Sequence, residues 1–327
     1  MTCLKRPSGM IAASLWMVAA AFAMPASAAW PDRPITIIVP WGAGGAADQL
    51  SRALSPLLEK DLKVPINVVL RPGGSGAVGH TALAQSAPDG YTWGLATVEI
   101  TMMHWQGLAQ IQPKDFTVGA IINADAGGLI VRSDSPYKTA KELIDDIKAK
   151  PASALKASGT GQGGIWHLGL VGWLLAEKID TKKVPWVPNQ GAGPSMQDLV
   201  AGGVDFVTAS LPEGRALIDA GKARALAQMD TKRLWLYPNV PTIKEATGTD
   251  WSILTWRGVL GPVGIPADIR DQMIAALKKA HESQEFQDFM KNRGFGVAWM
   301  PGAEGTAFIN KANDEFGKIM KEAGLAK

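Results

Sequence analysis

The feature that most constrains this sequence is a recurring unit of strand-like run, glycine-rich loop and amphipathic helix. Residues 35–39 are β-branched and mainly apolar, as a buried strand requires, and residues 50–58 place leucine and alanine on one face of a helix. The unit recurs from residue 66, where another glycine loop separates an apolar run from a short helix. Because such units pack helices against parallel strands, we predict an α/β fold with mostly parallel sheets flanked by helices.

A second series of strands and helices begins near residue 129 and predicts a second lobe. In this series Thr139 and Glu142 have the spacing of a capping box at a helix start. Two lobes are the expected arrangement for about 300 residues. We place the chain crossings near residues 127–128 and 250–251, so that the lobes enclose a cleft. The expected organisation is a signal peptide at residues 1–28, a first lobe of residues 29–128 and 251–327, and a second lobe of residues 129–250.

The N-terminus has the pattern of a secretory signal peptide. Lys5 and Arg6 precede an apolar run over residues 10–24, and small residues around Ala28 fit a cleavage site. The run is shorter than the ~20 apolar residues that a membrane-spanning helix needs. We expect export, cleavage after Ala28 and loss of Cys3, the single cysteine of the sequence.

Composition and missing motifs exclude several classes of protein. Lys and Arg number 33 against 30 Asp and Glu, and the basic residues are not clustered, so we expect no nucleic-acid partner. The sequence has no nucleophile elbow, no phosphate-binding P-loop and no cysteine after residue 3, and its four histidines lack metal-ligand spacing. We therefore expect a protein without catalytic residues, metal or cofactor.

Two glycine-rich loops that each lead into a helix are the main candidate binding elements. Neither contains Lys or Arg before its helix, but glycine lets a ligand approach the backbone, and a helix start offers unpaired N–H groups and a positive dipole end. We predict that the loops face each other and bind an anion through main-chain nitrogens. A third loop adds further amides. The candidates are Trp41, Gly42, Ala43, Gly44, Gly45 and Ala46 in the first loop, Gly159, Thr160, Gly161, Gln162 and Gly163 in the second, and Gly74, Ser75 and Gly76 in the third.

Four side chains beside these loops have two interpretations each. Trp41 and Trp166 either wall the pocket or belong to the core. His167 either donates to a ligand or packs and caps the loop. Asp48 is a helix-end charge if the ligand is purely anionic, and a ligand contact if the ligand carries an amine.

An exported enzyme is the main alternative to a binding protein. Both loops, at residues 42–47 and 159–164, satisfy the loose dinucleotide pattern, which suits a dinucleotide or another anionic substrate. An exported protein has no recycled nicotinamide pool, which argues against this alternative. An enzyme would consume its ligand, whereas a structural or adhesive protein would bind none.

Segments along nearly the whole mature chain resemble the receptors of tripartite tricarboxylate transporters, also called the Bug family. Because they occur in the family's order, they are together far more specific than any single glycine motif. They are Trp30 to Ile35 with the loop that ends at Asp48, the arginine-proline-glycine loop from Arg71 to Gly79, the turn from Ala87 to Thr92, and the segments at 190–195, 203–206, 221–227 and 238–242.

The resemblance implies a periplasmic receptor with the two-lobed, type II-like solute-binding fold. It implies that the ligand's carboxylates meet backbone amides and ordered waters from the first and second loops. The expected partners are a small organic carboxylate and the permease subunits of the transporter, and we expect a monomer. A di- or tricarboxylate, an aromatic acid and an amino acid all remain open as ligands. The candidate side-chain contacts are Ser75, Thr160 and Gln162, and Asp205 of the matching segment 203–206 is a further candidate ligand-binding residue.

Overall fold

The computed structural model describes residues 1–2, 30–322 and 324–327. The expected signal peptide lies outside the described residues, apart from its first two. None of the helices in the described ranges is both long enough and apolar enough to cross a membrane.

Strands and helices alternate along the described chain, as an α/β fold requires. The strands are β1 (Ile35–Val39), β2 (Ile66–Leu70), β3 (Thr92–Thr97), β4 (Phe116–Arg132), β5 (Ala157–Ser158), β6 (Phe206–Ala209), β7 (Ala223–Met229), β8 (Leu254–Pro262) and β9 (Val297–Pro301). The helices are α1 (Ala46–Leu62), α2 (Ala77–Ala84), α3 (Ala140–Ala149), α4 (Ile165–Ala176), α5 (Ala192–Ala201), α6 (Leu211–Asp219), α7 (Ile243–Thr247), α8 (Ala267–Glu282), α9 (Gln284–Arg293) and α10 (Gly302–Glu322).

The long strand β4 connects two halves of the sheet. Up to Ala126 it pairs with β8 on one side and with β9 on the other, whereas from Gly127 onward it pairs with β6 and β7. The strand order is β2-β1-β3-β8-β4-β9 in the first half and β5-β6-β4-β7 in the second. The terms first half and second half denote these two sets of strands with the helices and loops that join them.

The direction of strand pairing follows from the path of the chain. Strands β1, β2 and β3 run parallel, as do β5 and β6, in agreement with the predicted strand-loop-helix units. Each pair that involves β4 or β8 is antiparallel, because β4 leaves the first half and β8 returns to it. The predicted α/β class is confirmed, and the sheet is mixed rather than mostly parallel.

Burial explains why the first strand and helix form where the sequence predicts them. Four of the five residues of β1 are buried, and Leu50, Leu54 and Leu58 of α1 have no exposed surface. They pack in one core cluster with Ile35 and Trp93. Since each fully buried leucine contributes roughly 1.5–3 kcal/mol, this face anchors α1 on the sheet.

The predicted capping box at the start of α3 is confirmed. The Glu142 N–H donates to Thr139 Oγ1 at 3.1 Å, and the Thr139 N–H donates to Glu142 Oε2 at 3.0 Å. Two N–H groups that a helix start leaves unpaired are thereby satisfied.

Both main glycine loops leave the carboxyl end of a strand and enter a helix. The first joins β1 to α1, and the second joins β5 to α4. Ligand sites of α/β proteins lie at such strand ends, where helix starts gather. Because β1 and β5 belong to different halves, the two loops meet where the halves face each other.

Candidate ligand-binding cleft

The first and second glycine loops line one small cavity between the two halves, which confirms the prediction that they face each other. Its volume in this conformation is about 20 Å³, enough for about one water molecule. A larger ligand enters only if the halves move apart. The lining residues are Trp41, Gly45, Ala46, Ala47, Thr97, Glu99, Thr255 and Arg257 from the first half, and Thr160, Ile165, Trp166, Gly191, Ala192 and Glu213 from the second.

A carboxylate from the opposite half lies at the start of each of the two helices. The Ala46 N–H, at the start of α1, donates to Glu213 Oε1 at 3.2 Å, and Glu213 belongs to α6 of the second half. The Ile165 N–H, at the start of α4, donates to Glu99 Oε1 at 3.0 Å, and Glu99 follows β3 of the first half. Unpaired N–H groups and the helix dipole favour an anion at such positions. Both helix starts therefore bind carboxylates through main-chain nitrogens.

One cation also lines the cleft. Arg257 of β8 is 4% exposed, and its Nη1 donates to Asp125 Oδ2 and Asn123 Oδ1, each at 2.6 Å. Its Nη2 lies 3.3 Å from Glu213 Oε1. The expectation that main-chain nitrogens alone supply the positive charge of the site is therefore wrong. The loops themselves lack basic residues, but Arg257 reaches the cleft from a strand that is distant in sequence.

Burial changes the proton affinity of two acidic groups here. Desolvation raises the pKa of Glu99, although the Thr97 hydroxyl and the Ile165 N–H, which both donate to its carboxylate, act in the opposite direction. Desolvation also raises the pKa of Asp125, against the effect of the neighbouring Arg257 charge. The cleft is therefore an environment that disfavours uncompensated negative charge.

Hydrogen bonds between loops join the two halves at the mouth of the cleft. Ser75 Oγ donates to the Gln162 carbonyl at 2.5 Å, and the Gly42 N–H donates to the Gln190 carbonyl at 2.7 Å. A wider depression of about 540 Å³ lies at this mouth. Part of the predicted main-chain site is thus used for contacts between the halves. The predicted residues that line the depression are Trp41, Gly74, Ser75, Gly161 and Gln162.

Both tryptophans beside the loops wall the inner cavity and are also buried. Trp41 is 7% exposed and Trp166 is 1% exposed. The Trp41 Nε1 donates to Thr97 Oγ1 at 3.1 Å, which fixes the orientation of the indole. Gly76 lies against the same ring, since a Cβ there would be 3.1 Å from Trp41 Cζ2.

His167 holds the second loop in shape. Its Nδ1 accepts from the Gly163 N–H at 3.1 Å, and its ring lies 4.9 Å from the Trp186 ring between centroids. Burial lowers the pKa of His167 to about 4, so the ring is neutral at pH 7. Of its two interpretations, the packed and loop-capping one fits these contacts.

The two predicted acidic contacts have partners outside the cavity. Asp48 is buried and accepts from the Gly44 N–H at 2.9 Å and from Arg52 Nε at 2.7 Å, as a helix-end charge does. Asp205 is exposed and accepts from the Lys156 N–H at 2.7 Å, just before β5. Neither side chain lines the cavity. The expected contact between Asp205 and the ligand therefore has no support in this arrangement, and Asp48 shapes the first loop through the Gly44 N–H.

Two other candidate residues, Gly159 and Ala43, pack against neighbouring elements and do not line the cavity. A Cβ on Gly159 would lie 2.2 Å from the Thr208 carbonyl oxygen, so this glycine lets the loop cross β6 closely. The Ala43 carbonyl lies against Gly193 at the start of α5, where a Cβ would be 2.5 Å away. The start of α5 thus closes the cavity from a third side.

Sequence reasoning missed the charged and hydroxyl side chains of the cleft. Arg257 is a cation in the otherwise mainly apolar segment 254–262, which is a readable signal of a buried ion pair. Glu213 has the N3 position of a capping box with Ser210, so a local role already explains it. Glu99 gives no local signal. The missed lining residues are Ala47, Thr97, Glu99, Ile165, Gly191, Ala192, Glu213, Thr255 and Arg257.

A comparison with known families decides what kind of cleft this is. The model of the tripartite tricarboxylate transporter family receptor matches residues 50–325, most of the described chain. The chain belongs to this family. The resemblance found in the sequence is confirmed, and the chain is a solute-binding receptor rather than an enzyme.

Individual relatives agree with this membership. A UPF0065 protein from the TAR-I ttuE-ttuC' intergenic region of Agrobacterium vitis is 30% identical over 253 residues, which cover 77% of this chain and 72% of that protein. The periplasmic binding protein BugD is 25% identical, with a TM-score of 0.85 over 91% of this chain and 100% of that one. R. palustris Rpa4515 with adipate is 24% identical, with a TM-score of 0.85 over 91% of this chain and 99% of that one, and shares the fold.

Replacing His167 by Asn tests the histidine's part in acid stability. Because its folded pKa of about 4 lies below the ordinary 6.5, the stability it contributes is complete above pH 6.5 and is lost as the pH falls towards 4. Between pH 7.5 and pH 5 that loss is about 2 kcal/mol. The oxygen of the asparagine side chain can still accept from the Gly163 N–H. Urea unfolding at the two pH values should show a smaller loss in His167→Asn than in the wild type. If both proteins lost the same unfolding free energy between the two pH values, His167 would not be the group that causes the loss.

Replacing Arg257 by Met tests the buried ion pairs. The change leaves Asp125 and Glu213 in the cleft without their cation, so the free energy of unfolding should fall by about 3–5 kcal/mol. Adding Asp125→Asn to the same chain removes one of the stranded charges and should recover part of the loss. Urea unfolding at pH 7.5 measures both. A loss below about 1 kcal/mol for the single variant would show that Arg257 does not compensate these carboxylates.

Proposed function

We propose that this protein is a periplasmic receptor that captures a small carboxylate between its two halves and delivers it to the permease of a tripartite tricarboxylate transporter. The observation that supports the proposal best is the pair of carboxylates, Glu213 and Glu99, at the starts of α1 and α4. These contacts indicate that both helix starts suit a carboxylate, and they come from opposite halves. A ligand with two carboxylates matches this arrangement.

The proposed capture is a competition followed by closure. A ligand carboxylate displaces Glu99 or Glu213 from a helix start, and a second anionic group engages the other helix start. Only a ligand that contacts both halves favours the closed arrangement, because a ligand shifts a conformational equilibrium through its differential contacts. We propose that the moving units are residues 29–128 with 251–327 and residues 129–250. The change of β4 partners between Ala126 and Gly127 supports a hinge there.

The free energies of the expected hydrogen bonds are large enough for a micromolar Kd. A micromolar Kd corresponds to about −8 kcal/mol, and each hydrogen bond to a charged group contributes roughly 1.5–3 kcal/mol before the costs of association. A few such bonds in each half are enough, even after the displaced side chains give up theirs. Adipate, the compound named with R. palustris Rpa4515, has two carboxylates on a flexible chain and is a suitable first probe. Delivery to permease subunits and a monomeric state belong to the same proposal.

The first test is a thermal-shift screen of the mature chain against carboxylates. A ligand that binds the folded state alone raises Tm to an extent set by its concentration and affinity. We expect stabilisation by dicarboxylates such as succinate, glutarate or adipate, or by their substituted forms. A protein that no mono-, di- or tricarboxylate, aromatic acid or amino acid stabilises would contradict the receptor function.

Replacing Gly161 by Ala tests closure. The added Cβ would lie 2.3 Å from Ser75 Oγ and 2.8 Å from Ser75 Cα, which belong to the other half. The clash occurs only when the halves meet, so Gly161→Ala should weaken binding at least tenfold, while the ligand-free chain can relieve the clash by opening and should still fold. Adding Ser75→Gly removes Oγ, the nearest atom, but leaves Cα, and should restore part of the affinity, with Ser75→Gly alone as the matched control. Titration calorimetry measures all four proteins. Unchanged affinity in Gly161→Ala would exclude closure at this contact.

A further inference from the structure

The cleft contains more negative than positive side chains. Glu99, Asp125 and Glu213 all have buried side chains in or beside the cavity. Within the part of the chain that the structure describes, Arg257 is the one Lys or Arg that lines this cavity. Three carboxylates therefore lie in or beside a cavity that one guanidinium lines, and two of them pair with it.

Both terminal nitrogens of Arg257 contact residues other than Glu99. Its two terminal nitrogens engage Asn123, Asp125 and Glu213. Among the described residues no Lys or Arg forms an ion pair with Glu99, which is 3% exposed. The contacts of its carboxylate are the Thr97 hydroxyl and the Ile165 N–H. Glu99 is thus a buried acid that lines the binding cavity and, among the residues described, forms no ion pair there. The charge of the nearby Arg257 acts to lower the pKa of Glu99, but the effect of burial is larger.

Burying the Glu99 carboxylate without an ion pair costs free energy, and a ligand can remove this cost. A buried carboxylate is disfavoured unless hydrogen bonds and positive charge compensate it. The start of α4 compensates Glu99 in part, but burial still raises the pKa of this carboxyl. A second carboxylate brought in by a purely anionic ligand would increase the cost. A positively charged nitrogen on the ligand would decrease it.

The walls of the cavity favour the same kind of ligand. Trp41 and Trp166 line it together with Glu99, and indole rings attract cations through their electron-rich faces. Asp48, the other acid of the first loop, already binds Arg52 and the Gly44 N–H, which leaves Glu99 as the acid whose charge a ligand can compensate.

We propose that the ligand of this receptor carries a cationic nitrogen in addition to its carboxylate, and that Glu99 is the residue that selects for it. The inference rests on the proposed function, since it names the ligand class of the same cleft. The ligand's carboxylate accepts from an N–H at a helix start, and its cationic nitrogen pairs with the Glu99 carboxylate in the cavity that both indole rings line. An amino acid with a primary ammonium and a betaine with a quaternary one share this chemistry.

The test uses pairs of ligands that differ only by the ammonium group. Titration calorimetry at pH 7.5 compares succinate with aspartate, glutarate with glutamate, and adipate with 2-aminoadipate. Comparing glycine betaine with glycine distinguishes a quaternary from a primary ammonium. We expect the wild-type protein to bind the aminated member at least tenfold more tightly in the best-binding dicarboxylate pair.

Replacing Glu99 by Gln keeps the size of the side chain and an oxygen for the Ile165 N–H but removes the charge. The ratio between the affinities for the aminated and the plain member should fall at least tenfold in this variant, because the ammonium group of the aminated member alone pairs with the Glu99 charge. Glu304→Gln, at an exposed position of α10 outside the cleft lining, is the matched control and should change neither. The wild-type preference is an independent readout if Glu99→Gln folds poorly.

The outcomes separate the inference from the function on which it rests. If the wild-type protein binds the plain members as tightly as the aminated ones, the inference is wrong and the carboxylate receptor stands. If Glu99→Gln binds both members as the wild type does, Glu99 is not the selecting residue, and the inference is equally overturned. If no member of any pair binds, the proposed function and the inference both fail.

Discussion

The interaction on which the rest of this structure depends is the contact between a carboxylate and the start of a helix in the opposite half. Glu213 reaches the start of α1, and Glu99 reaches the start of α4. Each contact satisfies one N–H group that the helix leaves unpaired and places a negative charge at the positive end of its dipole. The two contacts run in opposite directions across the cleft, so they join the halves at the position where a two-ended anion would join them.

The glycine loops and the long strand β4 make this contact geometrically accessible. The loops bring the backbone of one half within hydrogen-bonding distance of the other, as at Gly42 and Gln190. Strand β4 carries the chain from one half to the other and changes its partners on the way. Arg257 lies beside this crossing, on β8, and compensates Asp125 and Glu213. The ion pairs of Arg257 therefore lie next to the point where β4 changes its strand partners.

Patterns over short stretches of sequence predicted the strands, helices and caps that depend on residues close together in the chain. The buried strand at residues 35–39, the leucine face of α1 and the Thr139 capping box all depend on near neighbours and were predicted correctly. The loops that line the cavity were also found, because a glycine run before a helix is a local signal. Asp205 was placed in the site only through a family segment, and its actual contact is the backbone of Lys156. The charged lining could not be predicted in the same way, since Arg257, Glu99 and Glu213 come from three separate elements that only the strand order places around one cavity.

The most direct measurement of the central claim is the response of two amide resonances, those of Ala46 and Ile165, during an NMR titration with the carboxylate that stabilises the protein most. If main-chain nitrogens at the helix starts hold the ligand, both resonances shift and reach saturation at the same ligand concentration. If the ligand saturates the protein while both amides stay unchanged and the Arg257 side-chain signals shift instead, the cleft binds its ligand through the guanidinium, and capture by the helix starts is wrong.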